Sequence, residues 1–111
     1  MKRIFIQTPL FSKKLDARGG DQLLRAIEEE LLKDPEAGDL IQGAGGVRKL
    51  RVADPGRGKG KRGGYRVIHL NIEIRAHSLL ITFYGKDEAD DLTTDDKRVI
   101  RELVKRVLAE K

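Results

Sequence analysis

Cysteine is absent from the 111 residues, and histidine occurs only twice. The first absence excludes disulfides, thiolate metal ligands and cysteine nucleophiles. Together they leave no ligand set for a structural zinc, so neither a metal nor another cofactor is expected. No apolar run approaches the ~20 residues that a membrane-spanning helix needs. The basic start Met1-Lys2-Arg3 leads into Ile4-Phe5-Ile6 and then directly into Gln7-Thr8-Pro9, so no secretory leader is expected. Hydrophobic residues make up 39% of the chain and charged residues 37%, a low apolar share but enough for one small core. The expectation is a soluble, cytoplasmic protein with a single domain over residues 1–111 and no membrane partner.

The positive charge is concentrated. Residues 43–75 carry nine Lys and Arg against two Asp and Glu, a local net charge of +7, whereas each flank sums to −1. A basic field confined to the middle third favours an anionic partner, and nucleic acid is the commonest. The plain alternative is a solvated basic loop that aids solubility. Interleaving of the cations with glycine, rather than their spread over a helix face, favours the binding role.

Local signals divide the chain into seven elements. Residues 2–7 read as a strand rich in β-branched and aromatic side chains and ended by Pro9. Residues 9–18 read as a short helix carrying Leu10, Phe11 and Leu15, broken by Gly19-Gly20. Asp21 suits the N-cap of a second helix, in which Leu23, Leu24, Ile27, Leu31 and Leu32 form one apolar stripe. Asp34-Pro35 ends it. A Gly- and Asp-rich loop follows over 36–46, then a strand over Val47 to Ala53. Residues 54–64 cannot pack a core and read as a mobile basic loop. Tyr65 to Ile74 and Ser78 to Tyr84 read as strands joined by a hairpin near 73–77. Thr93 caps a last helix over 94–110, with Asp95 and Asp96 suited to its N-terminus. The expected fold is α+β in the order β-α-α-β-β-β-α, a mainly antiparallel sheet with its helices packed on one face.

Three constellations have the makings of chemistry. Gly58-Lys59-Gly60-Lys61-Arg62-Gly63 formally fits G-x-G-x-x-G, but a strand rather than a helix follows it, and no Walker A spacing is present. A flexible cationic phosphate clamp is the better reading, with Arg57, Lys59, Lys61 and Arg62 as its charges. Arg48, Lys49 and Arg51 enter that loop and Arg66 leaves it, a gathering of cations that an anion site explains. Strand alternation should nevertheless split Arg48 from Lys49. Tyr84-Gly85-Lys86 ends the last strand. Tyr84 suits stacking on a base or proton transfer, against the alternative of a core-edge aromatic. Lys86 among cations suits acid–base work, against that of an exposed turn residue. His69 reads as a satisfied, partly buried residue, His77 as an exposed one, and Asp87 to Asp91 as a solvated acidic loop. RNA cleavage by its own 2′-hydroxyl needs alignment, a base, an acid and cations around the phosphate. Arg66, Arg62, Lys61, Tyr84 and Lys86 supply those parts without a metal.

Residues 43–68, with their Gly-Gly-x-Arg-Lys-Leu-Arg and Gly-Lys-x-Lys-Arg-Gly-Gly-x-Arg blocks, resemble the HigB branch of the RelE/ParE toxin superfamily. Lys33-Asp34-Pro35, Gly38 to Gln42, Leu79 to Glu88 and Asp91-Leu92-Thr93 extend the resemblance over nearly the whole chain. It implies a type II toxin that enters the A site of the small ribosomal subunit, where it cuts mRNA without a metal. It also implies a cognate antitoxin, which alone contacts operator DNA. By motif position Arg66 should hold the scissile phosphate, and Lys61, Arg62, Tyr84 and Lys86 fall among the active-site groups. Arg48, Lys49, Arg51, Arg57 and Lys59 remain as RNA-binding residues. His69 stands where the family commonly has Tyr. An extra Gly-Lys unit in the loop leaves Lys59 and Lys61 as alternatives for one role. The competing readings are a ParE-like gyrase poison on the same fold and a basic nucleic-acid-binding module without catalysis.

Overall fold

Short-range chemistry fixes the first elements of the chain. The strand β1 (Ile4–Gln7) stops at Thr8-Pro9, where Pro9 opens the helix α1 (Pro9–Arg18). Proline suits a first helical position because its missing N–H would have no partner there. The Thr8 hydroxyl accepts a hydrogen bond from the Phe11 amide at 3.1 Å, which caps the helix. The computed structural model describes residues 2–18, 20–55, 64–85 and 91–110. Arg57, Lys59, Lys61, Arg62 and Lys86 lie outside the described residues.

The helix α2 (Gly20–Lys33) starts one residue before Asp21, so Asp21 lies in its first turn instead of capping it. Of its expected apolar stripe, Leu23, Ile27 and Leu31 are fully buried and Leu24 is half-buried, but Leu32 is exposed. The expected loop 36–46 contains a strand, β2 (Asp39–Leu40). Gly38 permits it, with φ +99° and a backbone so close to the Lys49 carbonyl that a Cβ would collide. The strands β3 (Arg48–Val52), β4 (Tyr65–Ile72) and β5 (His77–Gly85) follow. A single 3-10 turn with Ala76 in the left-handed region joins the last two. Thr93 caps the helix α3 (Thr94–Ala109) in a full capping box with Asp96.

Among the described residues the sheet has five strands in the order β1-β5-β4-β3-β2. Every pairing is antiparallel except β1 with β5, which is parallel. The α+β class is as the sequence indicates, and the expected order β-α-α-β-β-β-α gains one strand, β2, before β3. The expectation of helices on one face is corrected. Phe11, Leu15, Leu23, Ile27 and Leu31 of α1 and α2 pack with Leu50, Val52, Val67, Leu80 and Phe83. Ile100 and Val104 of α3 pack with Ile68, Leu70, Ile72, Leu79 and Ile81. Side chains of a strand alternate between its faces, so the helices sandwich the sheet. The physical reason is the central strand β4, whose residues are buried on both faces; apolar side chains on the second face need a second cover.

The first core is centred on Phe83. Its ring meets Phe11 edge-on at 5.1 Å between centroids and Tyr65 at 5.4 Å. Phe11 has no exposed surface. Truncation of such a ring leaves a cavity, so Phe11→Ala should cost about 3–5 kcal/mol of folding stability, read as a lower urea midpoint at unchanged slope.

Candidate active site

The cations of β3 divide by strand alternation. Arg51 pairs with Arg66 of β4, and Arg66 pairs in turn with Tyr84 of β5. Residues directly opposite in antiparallel strands share a face, so Arg51, Arg66 and Tyr84 form one row across three strands. Tyr84 packs in the α3-side core, which puts this row on the α3 face. The next row on that face is Lys49, Ile68 and Thr82. Arg48 is turned to the opposite face: it pairs with His69, and its guanidinium donates to the Gly38 carbonyl at 3.2 Å. It therefore does not join the row.

Arg66 is only 7% exposed and Tyr84 only 4%. One Arg66 nitrogen donates to the Gly64 carbonyl at 3.4 Å. A guanidinium at that depth interacts strongly with any anion that reaches it, because screening by water is weak there. The Tyr84 ring is packed against the core and also lines a cleft of about 500 Å³ between the start of α1, β5 and α3. The row sits at the end of the sheet where the basic residues 54–64 join β3 to β4.

A bulge brings Tyr84 to Arg66. Ile68 pairs with Thr82 but His69 pairs with Leu80, so Ile81 is an extra residue in β5. On strict alternation from Leu79, Phe83 would face α3 and Tyr84 would enter the other core. The bulge reverses the phase: Phe83 enters the core under α1 and α2, and Tyr84 faces Arg66. The run Leu79 to Phe83, apolar but for Thr82, carries no sign of it in sequence.

The structure also brings in a carboxylate that sequence reasoning assigns to a solvated loop. Asp91 lies 3.7 Å from the Lys49 ammonium. Its side chain accepts from the Leu92 amide at 2.8 Å. That bond first, and then Lys49 and Lys97, hold the Asp91 carboxyl below the usual carboxylate range. The outer cation of the face is thus balanced by a residue 42 positions away, between β5 and α3. Lys97 and Asp39 line the same small polar niche.

His69 is fully buried rather than partly so. Its Nε2 lies 2.8 Å from the Ala37 carbonyl, an acceptor only, so Nε2 carries the proton and donates. Among the described residues Nδ1 is buried with no hydrogen-bond partner. Burial first, with help from Arg48, lowers the imidazole pKa from its ordinary value; the Ala37 bond and Asp34 oppose this in part. This is a structural histidine on the α1–α2 face, away from the row.

A family model described as RelE toxin of RelE / RelB toxin-antitoxin system matches residues 2–111.

His69 predicts a pH dependence of stability. Its folded pKa lies below its unfolded value of about 6.5, so the unfolded chain takes up the proton first as pH falls. The stability from neutral His69 should be complete above that pH and decline as acid is added below it. A difference curve of thermal melting for the wild type against His69→Gln, from pH 7.5 to 5, should show this loss in the wild type alone.

Proposed function

The chain belongs to the RelE toxin family, the toxin side of a toxin–antitoxin pair with a cognate antitoxin as partner, and from that premise we propose that it is a ribosome-dependent mRNA endoribonuclease of the HigB branch. The observation that carries this reading is the Arg51–Arg66–Tyr84 row on the α3 face, at the mouth of the Lys- and Arg-rich segment. In the proposed reaction the 2′-oxygen of the mRNA attacks the adjacent phosphorus, and the 5′-oxygen of the next nucleotide leaves. One proton must be taken from the 2′-hydroxyl and one given to the leaving oxygen.

Arg66 holds the scissile phosphate and stabilises the charge that builds on its oxygens. Near-burial keeps the guanidinium fixed before reaction, so little reorganisation is needed at the transition state. Tyr84 and Lys86 divide the proton work. Lys61 and Arg62, with Lys59 as the alternative for one lysine role, add positive charge from the loop. Lys49, Arg51 and Arg57 hold the flanking backbone. Neither side chain is an imidazole, whose ordinary pKa suits proton transfer near neutral pH, so alignment must supply much of the rate. A decoding site that presents the mRNA already stretched supplies that alignment, which is the physical case for ribosome dependence.

The test is mRNA cleavage in a reconstituted translation reaction, with and without ribosomes, read by primer extension. Cuts within the A-site codon, and only with ribosomes, are expected. Arg66→Ala should reduce the cleavage rate about 10²–10³-fold. Tyr84→Phe keeps the ring and removes the hydroxyl, so a proton role lowers the rate about 10²–10⁴-fold with melting unchanged. Intact mRNA from a folded, toxic protein would overturn the nuclease reading in favour of gyrase poisoning.

A further inference from the structure

Thr8 lies between β1 and α1; its carbonyl accepts from the Ser12 amide at 3.0 Å, and three further hydrogen bonds converge on its amide and hydroxyl. Its amide donates to the Leu80 carbonyl at 3.0 Å. Its hydroxyl donates to the Ile81 carbonyl at 2.6 Å. The same hydroxyl oxygen accepts from the Phe11 amide at 3.1 Å. The two carbonyls belong to the residue before the bulge and to the bulged residue itself. A bulge leaves an extra residue outside the regular ladder, and its carbonyl needs a partner from elsewhere. Thr8 is that partner, and it also lines the cleft that Tyr84 lines.

We infer that Thr8 is a positioning residue, whose hydroxyl pins the β5 bulge and thereby holds Tyr84 on the α3 face, in the row with Arg66. The inference rests on the nuclease reading for its catalytic consequence, though not for its structural part. Phe83, packed on Phe11 and Tyr65, selects the register of β5. Thr8 acts within that register. Two residues follow Ile81 before Tyr84, so slack at the Ile81 carbonyl passes along a short, stiff strand to the tyrosine. The hydroxyl has one proton and gives it to Ile81, so its other contact, with Phe11, must be as acceptor. A side chain of the same shape without the hydroxyl loses both, whereas serine retains both.

Thr8→Val, Thr8→Ser, Tyr84→Phe and the Thr8→Val/Tyr84→Phe double variant form the test. Amide hydrogen exchange of the folded protein reads the pin directly. Faster exchange from Ile81 to Tyr84 is expected in Thr8→Val, with Thr8→Ser like the wild type. Single-turnover cleavage on programmed ribosomes reads the consequence. Thr8→Val should cut the rate constant up to about tenfold, on the scale of one hydrogen bond, with the ribosome concentration for half-saturation unchanged. In the Tyr84→Phe background the same substitution should change nothing, because the group that it positions is gone. The lost cap on α1 would act equally in both backgrounds, so the cycle separates it. Unchanged exchange in Thr8→Val overturns the pin. Equal rate losses in both backgrounds, or none in either, overturn its link to Tyr84. Should the wild type cut no mRNA, the nuclease reading fails alone, and the exchange experiment still decides whether Thr8 holds the bulge.

Discussion

Strand β4 is buried on both faces, and the rest of the fold answers to that constraint. Its Tyr65 and Val67 need the cover of α1 and α2, and its Ile68, Leu70 and Ile72 need that of α3. Neither cover suffices alone, because an apolar face left to water forfeits the burial that stabilises a chain of this size. The helix at the C-terminal end is therefore part of the core. Arg75, in the turn between β4 and β5, donates to the Val107 and Glu110 carbonyls at the end of α3. The hairpin that carries the candidate site and the helix that covers its face are tied at both ends of α3, by this arginine and by the Asp91-to-Thr93 segment.

Local chemistry was readable in the sequence, and long-range placement was not. The Thr93 cap, the stop at Asp34-Pro35, the apolar stripe of α2 and the β4–β5 hairpin depend on residues a few positions apart. The separation of Arg48 from Lys49 follows from strand alternation alone. The side of the sheet taken by α3 depends on how β4 divides its residues, and a strand apolar on both faces shows no alternation to read. The pairing of β2 with β3 and the approach of Asp91 to Lys49 depend on register between segments distant in sequence. Tyr84 is the instructive case. Its residue type and its place at the end of the strand were legible, but its face is set by one bulged residue inside a run that is apolar but for Thr82. The lysines and arginines of residues 56–63 and Lys86 enter the site argument through sequence alone.

The charges of the α3 face are arranged by depth. Lys49, at the outer position, is balanced by Asp91, whose side chain is 64% exposed. An ion pair open to water on one side contributes little to stability and exchanges readily for another anion. Arg66, at the inner position, lies where water screens least. Burial of a cation works against folding unless hydrogen bonds offset it. A position in the strand that both cores grip is thus a poor place for an arginine on grounds of stability. It is a good place for one that must meet a phosphate without moving. The guanidinium is held by the same packing that holds the sheet, so a change that loosens β4 also displaces its charge. Stability and the proposed chemistry share one strand, and a site built this way tolerates less drift in its core than one carried on a loop.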